Sequence, residues 1–217
     1  MSGLSTLREA VLLGNAKAAI SAAQAALDGG VTPLDLIDEG IRPAMSDVGQ
    51  RFEDGEYFVP ELLMAARATK QVFELIRPLL ATAGAKPQGR VVLGTVRGDQ
   101  HDIGKNLVAA MLEGSGFEVI DLGVDVAPQK FVQAVEQNDV DLVGFSSLLT
   151  TTLPGVSEAL DALGQAGVRN RVKVMVGGAP VTESFASSVG ADGYAENAAA
   201  AVQVAKRLMA SHSGGGE

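Results

Sequence analysis

Residues Arg90–Lys105 read RVVLGTVRGDQHDIGK, and the fold can be worked outward from them. Arg90–Val96 is a short run rich in β-branched side chains, the composition of a strand buried on both faces. Gly98 breaks the run, Asp99-Gln100-His101-Asp102 follows, and Gly104 opens a helical pattern. In an open α/β sheet, the loop leaving the carboxyl end of a strand is where ligands bind. This loop offers an imidazole with a carboxylate two residues before it. An imidazole steadied by a carboxylate serves a transition metal as ligand, and it serves equally as a general base.

Downstream the same alternation repeats. Strands are predicted at Arg90–Val96, Phe117–Leu122, Val140–Ser146, Val172–Gly177 and Ala191–Tyr194. Helices are predicted near Gly104–Gly114, Pro128–Asn138, Pro154–Ala166, Val181–Ser188 and Glu196–Ala210. Five βα units of this size make an α/β domain over residues 90–210. It is a doubly wound, Rossmann-like sheet of flavodoxin type, with five parallel strands ordered 2-1-3-4-5. Residues 211–217 read as a flexible tail.

Upstream the pattern is helical. An amphipathic piece spans roughly Leu4–Leu13 and is broken by Gly14, after which Asn15 caps an alanine-rich helix that stops at Gly29-Gly30. Thr32 and Pro33 start the next helix, with Leu34, Ile37, Ile41, Met45 and Val48 on one face. The loop Arg51–Tyr57 ends it. Pro60 opens a further helix that buries Leu62, Leu63, Ala66, Val72, Phe73, Ile76 and Leu80. Four helices with short joins predict an antiparallel four-helix-bundle cap over residues 1–84. Ala81–Gly89, ATAGAKPQG, is a small-residue, Pro/Gly-containing stretch marking the domain boundary, with the linker itself at 85–89. Phe52, Tyr57, Phe58 and Val59 cluster about a glycine-containing loop, either stapling neighbouring helices or forming a lid over a ligand.

Composition removes whole classes of function. The chain of 217 residues is 47% hydrophobic and 20% charged, ordinary globular material. A formal net charge of −9 with no basic run argues against nucleic acid and anionic membrane as partners. Aromatic residues, at 4%, are too few for a base-stacking platform. There are no cysteines, which excludes disulfides, zinc-thiolate sites, iron–sulfur clusters and a cysteine nucleophile. With two histidines, one of them His212 in the tail, a site needing several imidazoles is out of reach while one axial imidazole is not. The N-terminus lacks the apolar core of a secretory signal, and no apolar run is long enough to span a bilayer, so a cytoplasmic location is expected.

The candidate site residues gather on the rim formed by the carboxyl ends of the strands. Asp99, His101 and Gly104 follow strand 1. Ser146, Leu148, Thr150 and Thr152 lie in the hydroxyl-rich loop FSSLLTTTLPG after strand 3, and Gly177-Gly178 follows strand 4. Order 2-1-3-4-5 makes these loops neighbours around one groove. Each element alone is weak, since a D-x-H triplet, a Gly-Gly pair and a hydroxyl-rich cap all arise incidentally. Together, with 41 residues between Gly104 and Ser146 and 28 between Leu148 and Gly177, they are specific.

The pattern D-x-H-x-x-G, S-x-L, G-G resembles the cobalamin-binding domain that takes its cofactor base-off with histidine on. VGQRFEDGEYFVPELLMAA in the helical half is similar to the cap of the methionine synthase cobalamin module. In length and layout the chain resembles the small stand-alone corrinoid proteins of methyltransferase systems, over roughly Ser5 to Met209. The resemblance implies that His101 is the lower axial ligand to cobalt, displacing the cofactor's dimethylbenzimidazole. It implies that Asp99 accepts the other imidazole N–H, with Thr152 at the position of a hydroxyl completing that relay. Gly104, Ser146, Leu148, Thr150, Gly177 and Gly178 would line the groove for the displaced nucleotide tail, with Ala198 near a further contact. Phe52 and Val59 would pack over the upper, methyl-bearing face.

What the resemblance implies about activity is a non-catalytic methyl carrier, bearing methylcobalamin in its loaded state. Its partners would be a substrate:corrinoid methyltransferase, a second methyltransferase with a folate or thiol acceptor, and a reductive activating protein. Other readings fit less well. An FMN carrier would not set Asp99 and Asp102 against a phosphate. A receiver domain needs an aspartate where Ser146 stands, and a hydrolase needs a nucleophile elbow such as G-x-S-x-G. An adenosylcobalamin mutase subunit would not carry this bundle. A cobalamin-dependent sensor is the alternative, and it is expected to bring a DNA-binding or signalling module that 217 residues leave no room for.

Overall fold

The computed structural model describes residues 3–82 and 87–212. The chain divides into two compact units, Met1–Pro87 with Ala110–Gly116, and Gln88–Ala109 with Phe117–Glu217.

In the first unit, α1 (Gly3–Leu12) and α2 (Ala16–Asp28) form a helical hairpin. Asn15 Oδ1 accepts from the Ala18 amide at 3.1 Å and so starts α2. The alanines of α2 are a packing device: Ala19 and Ala23 are fully buried, and a Cβ on Gly3 would come within 3.0 Å of Ala26 Cβ. A continuous helical run follows, made of α3 (Pro33–Asp35), a π-helical turn (Leu36–Ile41) and α4 (Arg42–Glu53). Thr32 caps it, its hydroxyl oxygen accepting from the Asp35 amide at 3.1 Å. α5 (Val59–Thr82) completes the four-helix set.

Two expected burials are corrected here. Leu34 is 45% exposed and Leu36 is buried in its stead. The π turn carries an extra residue, so the inward stripe runs Leu36, Ile37, Ile41, Met45, Val48 rather than starting at Leu34. Leu63 is 45% exposed because Leu62, Ala66, Thr69, Val72 and Ile76 already form the buried stripe of α5, one residue off its face.

The second unit is a five-stranded parallel sheet ordered β2-β1-β3-β4-β5. Its strands are β1 (Arg90–Thr95), β2 (Glu118–Asp121), β3 (Leu142–Ser146), β4 (Lys173–Gly177) and β5 (Gly193–Ala195). They are joined by α6 (Ile103–Gly114), α7 (Pro128–Gln137), α8 (Leu153–Gln165) and α9 (Glu183–Ser188), and α10 (Ala198–His212) follows β5. The central strands β1, β3 and β4 are buried nearly throughout while β2 and β5 are partly exposed, as the edges of a doubly wound sheet must be. One face packs Val92, Val143, Phe145, Val174 and Val176 against Phe131, Val156 and Leu163. Phe131 meets Phe145 edge-on at 4.8 Å, and it can lie on β1 because Gly94 leaves room: a Cβ there would fall 2.6 Å from its ring.

At the ends of the sheet unit, α10 continues through His212, two residues into the stretch read as tail. α5 likewise carries the first residues of Ala81–Gly89 as helix. Residues 83–86, at the end of the cap and start of the linker assignments, and 213–217, in the tail assignment, lie outside the described residues.

Candidate functional site

The strand order reverses between β1 and β3, since the chain leaves β1 for β2 on one side and returns to β3 on the other. Loops at such a reversal diverge and open a crevice at the carboxyl ends of the strands. The register pairs Thr95 with Ser146, so the loops after β1 and β3 start side by side.

The β1 loop is short and heavily tied. Gly98 has φ 83°, a conformation natural to glycine, and the Asp99 amide closes the turn onto the Val96 carbonyl at 3.1 Å. The buried Thr95 hydroxyl donates to the His101 carbonyl at 2.9 Å. Asp99 is fully buried, and each carboxylate oxygen accepts two hydrogen bonds. Oδ1 takes the His101 amide at 3.0 Å and His101 Nδ1 at 2.7 Å. Oδ2 takes the Leu148 amide at 2.7 Å and the Thr152 hydroxyl at 2.8 Å.

Burial alone would raise the Asp99 pKa. The Leu148 amide, the His101 amide and ring, and the Thr152 hydroxyl outweigh it and hold the carboxyl down at about 2. Asp99 is therefore an ionised, fully satisfied anchor. It fixes the imidazole with Nδ1 inward, leaving Nε2 as the ring atom to offer a metal, on a side chain 50% exposed.

The β3 loop completes the anchor. Thr152 Oγ1, at the end of a 3₁₀ turn over Thr150–Thr152, lies 2.8 Å from the buried Ser147 Oγ as well as from Asp99. Ser147 escaped notice in the sequence because Ser146, beside it, carries the S-x-L spacing. In the structure Ser147 is the fully buried one of the pair, and Ser146 is half-buried at the strand end. Leu148 and Thr150 are exposed.

The glycines divide by cause. A Cβ on Gly178 (φ 128°) would lie 1.9 Å from the Ser147 carbonyl oxygen, and one on Gly177 would lie 2.8 Å from the Ala195 carbonyl oxygen. Both are demanded by packing at the β4 end. Gly104, in the first turn of α6, has nothing within 4 Å of its would-be Cβ and no left-handed φ. Nothing inside the chain explains that glycine. Ala198 begins α10 and is 5% exposed, behind Asn197, whose side chain caps the helix by accepting from the Ala200 amide at 2.8 Å.

Residues 89–203 match the B12 binding domain, and residues 4–77 match a second model that also carries the description B12 binding domain. Dimethylamine corrinoid protein 1 of Methanosarcina acetivorans is 44% identical over 195 residues, 89% of this chain and 92% of that protein. The chain belongs to the corrinoid proteins of methyltransferase systems. Two solved structures agree. A cobalamin-binding protein from Desulfitobacterium hafniense is 36% identical with a TM-score of 0.79, over 94% of this chain and 98% of that one. The methanol:cobalamin methyltransferase complex from Methanosarcina barkeri is 32% identical with a TM-score of 0.84, over 96% of this chain and 80% of its counterpart.

The residues on the rim suit a corrinoid. Among the described residues no three His, Asp or Glu side chains are grouped to hold a metal ion, so the site offers a metal one imidazole. A metal already held in its own macrocycle needs no more. Ile103, which opens α6, is 78% exposed, and Leu148 and Leu149 in the β3 loop are 41% and 43% exposed, apolar surface suited to a broad macrocycle. Ile103 carried no sequence signal, since an isoleucine opening a helix reads as core. In the helical unit, Tyr57 is tied down, its hydroxyl donating to the Leu12 carbonyl at 3.1 Å. Phe52 is half-buried, while Phe58 and Val59 are 65% and 38% exposed. Among the described residues no helix is long and apolar enough to cross a membrane.

Proposed function

We propose that the chain is a methyl carrier that binds cobalamin with the cofactor's own base displaced and His101 Nε2 as the axial ligand. Bound cobalamin supplies a cobalt centre that takes up and gives away a methyl group. The observation that carries the reading is the Asp99–His101 pair. A buried carboxylate with all its accepting positions used holds one half-exposed imidazole in a fixed tautomer at the switch point of the sheet.

Each residue then has a physical task. Asp99, kept ionised, strengthens His101 as a ligand and steadies the ring while it is unbound. Nε2, the outward ring nitrogen, is the atom on which the pair would hold the metal. Thr152, with Ser147 behind it, keeps the second carboxylate oxygen from needing water. Gly104, Ser146, Leu148, Thr150 and the Gly177-Gly178 turn receive the displaced nucleotide tail, with Ala198 at the margin. Phe52 and Val59 are assigned, on the family resemblance alone, to keep water from the methyl-bearing face.

The chain would load from a substrate:corrinoid methyltransferase and unload to a second methyltransferase with a folate or thiol acceptor, with a reductive activating protein restoring oxidised cofactor. The relatives named for dimethylamine make a methylated amine the first donor to try. The test is to reconstitute the chain with cobalamin and labelled histidine, then record paramagnetic resonance of the Co(II) form. Splitting that follows the histidine label supports the ligand assignment; splitting from benzimidazole nitrogen rejects it. Donors with candidate methyltransferases, followed by the corrin spectrum, test the carrier role. Steady demethylation by the chain and a reductant alone would reject it.

A further inference from the structure

The loop after β2, Leu122–Ala127, contains the one non-glycine residue with positive φ among the described residues: Asp125, at 50°. The loop is pinned on either side of it. The Gly123 carbonyl accepts from the Thr95 amide at 3.0 Å, and the Val126 amide donates to the Thr95 carbonyl at 2.9 Å. Between these pins the left-handed turn aims Asp125 at the histidine loop twice. Its carboxylate Oδ1 accepts from the Gly98 amide at 2.7 Å, and its own amide donates to the Asp99 carbonyl at 2.9 Å. Gly98 is the turn that sets the direction of Asp99, and Asp99 in turn sets His101.

We propose that Asp125 is a positioning residue for cobalt ligation, holding the Gly98–Asp99 turn so that His101 is presented before any cofactor arrives. A left-handed aspartate has a bland explanation, since its short side chain tolerates that backbone in any turn. Glycine would meet the same backbone need without strain. It would not supply the side-chain acceptor that takes the Gly98 amide at 2.7 Å. The acceptor function is therefore separable from the turn. It also differs in kind from the Asp99 contact, because Asp125 grips the loop backbone and not the imidazole.

The inference rests on His101 being the ligand, so its test has one arm without cofactor. Asp125→Gly removes the acceptor and suits the backbone; Asp125→Asn keeps the acceptor oxygen and tolerates the same φ. In the apoprotein, exchange of the Gly98 amide hydrogen should quicken by about tenfold in Asp125→Gly and stay near wild type in Asp125→Asn. In the Co(II)-cobalamin form, the fraction of spins split by labelled histidine should fall in Asp125→Gly and recover in Asp125→Asn. Wild-type behaviour of Asp125→Gly in either readout overturns the proposal, and so does an Asp125→Asn as impaired as Asp125→Gly. A wild-type protein without histidine splitting would remove the ligand assignment and this role with it. Gly98 exchange would still report whether Asp125 holds the turn.

Discussion

Replacing Asp99 by Asn is a nearly isosteric change at a fully buried position, and its consequence can be worked from the hydrogen bonds. The Asn oxygen keeps the His101 amide and ring at the Oδ1 position. The NH₂ group must then take the Oδ2 position, facing the Leu148 amide and the Thr152 hydroxyl. Thr152 can adapt by accepting from it and turning its own proton to the Leu149 carbonyl at 2.9 Å. The Leu148 amide cannot adapt, and a buried donor left facing a donor costs about 1–3 kcal/mol. The depressed Asp99 pKa, set by these same hydrogen bonds, expresses the effect as a pH dependence. A carboxyl held at about 2 against an ordinary 3.8 contributes about 2 kcal/mol when ionised.

The sign follows from the direction of that shift. Because the folded value is depressed, the contribution is complete above the unfolded value and is lost as pH falls toward the folded one. About 1 kcal/mol of it is gone by pH 3. Urea denaturation of the apoprotein should therefore place Asp99→Asn about 2–3 kcal/mol below wild type at pH 6, with the gap narrowing by about 1 kcal/mol at pH 3. A gap that stays constant across that range, or no gap at all, would refute the argument.

Other expectations are simpler to read. Gly104→Ala should leave apoprotein stability within about 1 kcal/mol while lowering cobalamin affinity by about tenfold or more, because the added methyl enters open space in the proposed groove. Equal affinity would remove Gly104 from the groove. Gly178→Ala should destabilise the sheet unit by more than about 3 kcal/mol, since its Cβ would overlap the Ser147 carbonyl, and a wild-type melting curve would contradict that packing. His101→Ala should still retain cobalamin on gel filtration, with affinity down roughly tenfold and the histidine splitting gone, as one ligand bond is small beside the buried area. Loss of all binding would mean that the imidazole builds the groove.

The departures from expectation have a common origin. Leu34 and Leu36 are equally good core residues by composition, and a π turn chooses between them. Leu62 and Leu63 are adjacent, so one face of α5 can take only one of them. Ser146 and Ser147 pose the same problem in a strand end, where successive side chains point to opposite sides. Periodicity identifies the stripe, and its phase is set by the neighbouring element that packs against it.

The architecture was legible from residue order alone, because β-branched runs, capping residues and glycine breaks are local and each acts within a few residues. Residue order also places one imidazole and one carboxylate in the loop after β1, since Asp99 and His101 are two positions apart. What holds that pair depends on how the chain folds back on itself. Leu148 and Thr152 reach Asp99 from the end of β3, about fifty residues away, and Asp125 reaches Gly98 from the end of β2. Those contacts exist because the order β2-β1-β3 puts both flanking loops beside the β1 loop. A hydrogen bond forms only between groups brought within about 3 Å in the right direction. Residue spacing along a chain carries no such information once the partners lie on different strands.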